Sequence, residues 1–192
     1  MKDKANYMSP ETFSEVIYSI PELEIRKWMD EDVEMLFKIL YFCALRPMEG
    51  INLSKEDFDV MQREVFLGKT KTKKEDYAVI PKIFCTELDN YLSTKEPGRL
   101  LPDLTYATFY KWLKRLGIIL DIPSWVVPQN QSGEKTVGHI FRKSVGKDML
   151  NGKFGDDAKS IPVISKHMRH SKPSMTMDNY LKVVIEQVKE SF

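Results

Sequence analysis

The stretch DEDVEMLFKILYFCALRPME, residues 30–49, decides how the chain is read. Val33, Leu36, Phe37, Leu40 and Tyr41 recur at helical spacing, so one face of a helix is apolar along its whole length. An apolar stripe of that kind has to be buried. Pro47 disfavours helix both at its own position and at the residue before it. The pattern predicts a core helix from Asp30 to about Leu45, with Arg46 at its C-terminal end. An arginine there can cap the last carbonyls or lay its stem over apolar surface. If Glu49 orients the guanidinium instead, the planar fork is left to grip a phosphate bidentately.

On the N-terminal side, Ser9-Pro10-Glu11 is a helix start, an N-cap candidate followed by proline in the first turn. That helix is predicted to reach about Ile20 and to stop at Pro21. On the C-terminal side come three short strand candidates, FDVMQ (58–62), EVFLG (64–68) and YAVIP (77–81). The lysine-rich run KTKTKKED then reads as the exposed tip of a hairpin. Helical apolar spacing returns over about 81–92 and 105–120, and residues 122–135, rich in proline and polar side chains, read as a loop. TVGHIFRKSVGKDML predicts a helix over about 136–150, Ser160 begins a short one to about Met168, and Ser174 or Thr176 opens a last one to about Glu190. No repeat, low-complexity tract or interdomain linker interrupts this order. The fold class expected is α+β: a single, mainly helical domain with a small three-stranded antiparallel sheet.

With 192 residues, 42% of them hydrophobic and 30% charged, the chain can build one packed core. Cys43 and Cys85 sit in apolar runs, which predicts buried free thiols and no disulfide framework. The N-terminus lacks the apolar segment of a signal peptide, and no apolar run approaches the ~18 residues of a membrane span. An intracellular protein is expected. The net charge of +1 argues weakly against a dedicated nucleic-acid binder, but the positive charge is clustered. Lys69, Lys71, Lys73 and Lys74 crowd the hairpin tip, and Lys166, Arg169 and Lys172 crowd a second short stretch.

Several local patterns carry potential chemistry. In His139-Ile140-Phe141-Arg142 the two polar side chains are a helical turn apart and share a face. A histidine beside an arginine suits an anion better than a metal. A hairpin-tip lysine can reach into a groove and release a proton if its pKa falls. His167 and His170 have the spacing of half a metal site, but the chain has three histidines in all, no CxxC pair and no HExxH. The adjacent cations oppose a bound metal, so no metal or cofactor is expected. Tyr180, with Val183, Val184, Ile185 and Val188, lies on a helical apolar face and alone would read as core.

Taken together, these residues resemble the catalytic domain of the tyrosine recombinase, or phage-type integrase, family. ALRPMEGINLSKEDFD matches the family's first box, HIFR its H-x-x-R box, and MRHSKPSMTMDNYL its last, from about Asp30 to Leu181. The resemblance implies a catalytic set of Arg46, Lys71, His139, Arg142, His170 and Tyr180, with Glu49 in support. It implies that Tyr180 attacks a scissile DNA phosphate to form a 3′-phosphotyrosine, without metal or ATP. Lys71 fits the family's T-K-T pattern, whereas counting back from Pro81 favours Lys73 and the strand glycine points to Lys69. Arg169 stands where the family usually has glycine. Lys69, Lys73, Lys74, Lys143, Arg169 and Lys172 are the expected DNA-contacting cations.

The partners implied are double-stranded DNA and further copies of the chain, a tetramer on DNA. The place implied is the cytoplasm, with the nucleoid or in a host cell. The whole chain, 1–192, is expected to be the catalytic domain, with 1–29 as an N-terminal arm and 182–192 as a C-terminal helix available for exchange between protomers. A separate N-terminal DNA-binding domain, usual in the family, is not expected within it. The rival readings are a noncatalytic DNA-binding relic of the fold and a phosphate-handling hydrolase using the same cationic pocket.

Overall fold

The computed structural model of the chain describes residues 7–69, 75–122, 125, 139–153 and 157–170. Helix α1 spans Pro10–Tyr18, with the Ser9 side chain accepting from the Thr12 amide at 3.2 Å. Pro21 lies inside a 3-10 turn, Ile20–Leu23, that carries the chain on to the central helix. Helix α2 spans Asp30–Phe42, and Asp30, Glu31 and Asp32 set negative charge against the positive end of its dipole. Its predicted stripe, Val33, Leu36, Phe37, Leu40 and Tyr41, is buried.

The end of α2 differs from the expectation, and the difference positions the site. The helix stops at Phe42 because Ala44 turns left-handed at φ 51°. The Ala44 amide then bonds the Tyr41 carbonyl and the Leu45 amide bonds the Leu40 carbonyl, both at 3.1 Å, closing a Schellman motif. Pro47 terminates nothing. It opens a separate short helix, α3, Pro47–Ile51, at a position where the missing N–H is harmless. Arg46 is therefore the N-cap of α3 and not the last residue of α2.

Three strands follow, β1 Phe58–Asp59, β2 Glu64–Lys69 and β3 Glu75–Val79, in the antiparallel order β1-β2-β3. Val65 pairs with Ala78 and Phe66 with Tyr77, and the register is irregular between Phe66 and Lys69, where Gly68 takes φ 89°. The hairpin tip, with Lys71, Lys73 and Lys74, lies outside the described residues. Helices α4, Lys82–Ser93, and α5, Tyr106–Ile119, follow their N-caps Pro81 and Thr105, within a residue of the starts the sequence predicts. Helix α6 is Ile140–Leu150 and α7 is Ile161–His167. The predicted last helix, with Tyr180 and Lys172, is outside the described residues, as is most of the 122–135 loop.

The core forms where α2, α5 and α6 meet. The Phe37 ring meets Phe141 edge-on at 5.2 Å and Phe109 at 5.7 Å. Helix α6 is buried on several sides, its polar Arg142, Ser144 and Asp148 included. Ser144 Oγ accepts from the Met8 amide at 2.9 Å, and the Asp148 carboxylate accepts from the Tyr7 and Tyr41 hydroxyls at 2.7 and 2.6 Å. Residues ahead of α1 are thus latched onto α6. Cys43 is buried and Cys85 half-buried, both as free thiols. No helix among the described residues is long and apolar enough to cross a membrane.

Candidate active site

Two helix ends present the site, and they are built alike. Helix α7 closes with the same motif as α2: Arg169 turns left-handed at φ 49°, its amide bonds the Lys166 carbonyl, and the His170 amide bonds the Ser165 carbonyl, both at 3.0 Å. After each reversal the chain delivers one cationic or polar group, Arg46 after α2 and His170 after α7.

The C-terminal end of α2 is also where side chains from later elements converge. A helix end exposes carbonyls without intrahelical partners and carries the negative pole of the dipole. Arg142, 5% exposed, donates from Nη1 to the Ala44 carbonyl at 2.7 Å. The His167 ring nitrogen Nε2 lies 3.0 Å from the Phe42 carbonyl. Burial lowers the His167 pKa to about 4, so it is neutral and acts as part of the packing. Arg142 thus stands beside the backbone that leads into Arg46.

Glu49 organises the third corner. Its Oε2 accepts from the Arg46 amide at 2.6 Å and its Oε1 from Arg46 Nη1 at 2.6 Å, so one carboxylate caps α3 and grips its N-cap side chain. Arg46 remains 47% exposed on its side chain, its guanidinium at the surface. A second arginine reaches Glu49 from the interior: Arg169 Nη2 donates to Oε2 at 2.5 Å. Arg169 Nε lies 3.5 Å from the Asp76 carboxylate of β3, an ion-pair distance without hydrogen-bond geometry, and Nη1 has no acceptor among the described residues. Expected as a DNA-contacting surface cation, Arg169 is instead 9% exposed on its side chain and held between two carboxylates.

The electrostatics follow from this crowding. Burial alone would raise the Glu49 pKa; the Arg169 charge, with the hydrogen bonds and charge of Arg46, outweighs it and holds the carboxyl below its ordinary range. His139, the half-buried N-cap of α6, is pushed down by burial and by the charges of Arg142, Arg46 and Lys143. His170 is pushed down by burial and by Arg142, Arg46 and Arg169. The structure therefore brings Arg46, Glu49, His139, Arg142, Lys143, Arg169 and His170 to one place. Lys69 ends β2, at the base of the hairpin. Lys71, Lys73, Lys74, Lys172 and Tyr180 lie outside the described residues.

Such a site combines fixed guanidinium groups with two histidines kept neutral at pH 7. The guanidiniums can bind an anionic oxygen cluster and stabilise charge developing on it. The neutral imidazoles can accept a proton or a hydrogen bond. Among the described residues no three His, Cys, Asp or Glu side chains group as a metal site would. The Arg169–Glu49–Asp76 contacts were not legible in the sequence; the signal available was a long cationic side chain where the resemblance calls for glycine.

The profile of the Phage integrase family matches residues 20–186. No curated protein sequence matches the chain. Similar solved structures include the catalytic domain of bacteriophage HP1 integrase, with TM-score 0.62 and 18% identity over 90% of this chain and 85% of that one. The XerH site-specific recombinase bound to palindromic difH substrate, a post-cleavage complex, aligns with TM-score 0.63 and 16% identity over 91% of this chain and 48% of that one. The Tn1549 transposon integrase in complex with a circular intermediate DNA aligns with TM-score 0.63 and 13% identity over 97% of this chain and 67% of that one. At such identities the likeness is one of fold: a mainly helical domain with a three-stranded antiparallel sheet. The chain spans about half the length of XerH.

Proposed function

The chain belongs to the phage integrase family, and from that premise we propose that it is a site-specific DNA recombinase that cleaves and rejoins strands through a covalent tyrosine intermediate. The observation that carries this reading is the convergence of Arg46, His139, Arg142 and His170, from three separate parts of the chain, on one cation-rich site.

Phosphoryl transfer from a diester asks for positioning, neutralisation of the non-bridging oxygens and management of two protons. Tyr180 is the nucleophile: its oxygen bonds to phosphorus, the bond from phosphorus to the 5′ oxygen breaks, and a 3′-phosphotyrosine and a 5′-hydroxyl result. A tyrosine (unperturbed pKa about 10) needs its proton removed at neutral pH, and the neutral His139 accepts it. Arg46 and Arg142 bind the non-bridging oxygens, Arg46 oriented by Glu49 and Arg142 by the Ala44 carbonyl. His170 donates a hydrogen bond to the same phosphate. Lys71 gives a proton to the leaving 5′ oxygen, and Lys69, Lys73, Lys74, Lys143 and Lys172 engage the flanking backbone. The phosphotyrosine keeps the diester's bond energy, so rejoining to a new 5′-hydroxyl needs no ATP. Double-stranded DNA is the substrate and a homotetramer on DNA the working assembly.

A nicked duplex that loses its 5′-hydroxyl fragment after cleavage tests the reading, with EDTA present throughout. The expected outcome is a denaturation-resistant protein–DNA adduct from the wild type and none from Tyr180→Phe. DNA binding without any adduct points to a noncatalytic relic, and activity that depends on added divalent metal points to a hydrolase. Either result sinks the recombinase reading.

A further inference from the structure

Arg169 occupies a position that its backbone conformation does not favour. At φ 49° it is the left-handed residue closing α7, where glycine is the usual choice because it has no Cβ. A non-glycine residue there carries backbone strain. An arginine kept at such a turn, its side chain folded inward to 9% exposure, is committed to an interior contact and not to solvent. That contact is Glu49 Oε2 at 2.5 Å, the same oxygen that accepts the Arg46 amide. On its other side the guanidinium faces Asp76 of β3, within the strand that leads out of the lysine hairpin. One residue further along the chain is His170.

We propose that Arg169 is a positioning residue for strand cleavage: it fixes the Glu49 carboxylate from behind, so that Glu49 holds Arg46 toward the scissile phosphate, and it ties this pair to β3 and to the turn that carries His170. The proposal rests on the recombinase reading for its substrate, but the contact itself does not. A carboxylate held at Oε2 by Arg169 has its orientation set, and its Oε1 then has one direction in which to grip Arg46 Nη1. Without Arg169, Glu49 keeps its bonds to Arg46 but loses the anchor that stops the pair moving together. Small displacements of groups that clamp a reacting phosphate are expensive in rate.

The test compares wild type with Arg169→Gly, Arg169→Lys, Glu49→Gln and the Arg169→Gly/Glu49→Gln double variant. Glycine relieves the backbone strain, so the variant folds. On the nicked substrate, Arg169→Gly is expected to lower the single-turnover cleavage rate at saturating DNA about ten- to hundredfold. Its DNA affinity and salt dependence should stay as in wild type. Arg169→Lys, which keeps the charge and lacks the fork, should recover part of the rate. The double variant should be no slower than Glu49→Gln alone, because the two residues act as a unit. A wild-type saturating rate in Arg169→Gly, with a salt slope reduced by about 1, would mean a direct phosphate contact and overturn the proposal. Additive rate losses would overturn it as well. A carbon-detected NMR titration of the Glu49 carboxyl separates this proposal from the functional reading, since it needs no DNA. Removing Arg169 should raise the Glu49 midpoint, and an unmoved midpoint overturns the anchor even if the wild type forms no adduct.

Discussion

In the proposed reaction His139 takes a proton from tyrosine, and a histidine in that role must be unprotonated before the reaction starts. Burial and the neighbouring charges of Arg142, Arg46 and Lys143 all favour its neutral form, so its folded pKa lies below the ordinary 6.5. A depressed pKa means that the folded state resists protonation; stability and activity are both retained above 6.5 and lost as pH falls through the folded value. Single-turnover cleavage at subsaturating DNA, which reports the free protein's titration, is therefore expected to be level across neutral pH. It should fall tenfold per pH unit only on the acid side of 6.5, and an acid limb above 6.5 would contradict this assignment. His139 and Arg142 were legible as a pair because they share a helical turn. The partner that holds Arg142, the Ala44 carbonyl, was not, since a backbone acceptor exposed by a left-handed residue leaves no mark on side-chain spacing.

At the scale of elements, the same closing turn at the ends of α2 and α7 places Arg46 and His170. Apolar periodicity located α2 and the Ser160 cap located α7, but α2 was expected to end too late, because Pro47 is the stronger signal along the chain and Ala44 looks like an ordinary helix former. The intervening α3 is too short to show a period. Its seat against α2 depends on Gly50: an added Cβ would come within 2.5 Å of Leu40 Cδ2 and 3.3 Å of Leu36 Cδ1. Both leucines are buried and have little room to turn. Gly50→Ala is expected to destabilise the fold by about 1–3 kcal/mol, read from the denaturant midpoint at unchanged slope. Lifting α3 also moves Arg46 and Glu49, so cleavage should fall by more than DNA binding does.

Across the whole molecule, Asp148 joins the N-terminal segment, α2 and α6 through the hydroxyls of Tyr7 and Tyr41. Burial raises the Asp148 pKa, and the two hydroxyl bonds oppose that rise only in part. A raised folded pKa makes the charged form the disfavoured one, so this carboxyl's contribution is full below its unfolded pKa and is lost as pH rises through the folded value. The Tyr41 bond has the opposite dependence, because it stabilises the carboxylate. Tyr41→Phe is accordingly expected to destabilise by about 1–2 kcal/mol at neutral pH. That loss should shrink as pH is lowered and Asp148 takes up its proton. Thermal melts of both proteins across the acid range check it; a loss that grows toward acid pH would show that the hydroxyl serves another partner.

By itself the sequence determined the mainly helical class, the three short strands and the order of the boxes, while the grouping of Arg46, Glu49, His139, Arg142 and His170 came from the family resemblance that those boxes carry. These features are local: periodicity of three to four residues, turn residues and short motifs depend on near neighbours. Tertiary structure alone decided that the closing turn of α2 is the anchor for Arg142 and His167, that Asp148 latches the first residues, and that Arg169 turns inward to Glu49 and Asp76. Each of those joins residues distant in the chain through a buried polar contact. Such contacts are specified by where elements pack, and no spacing rule along the chain encodes them.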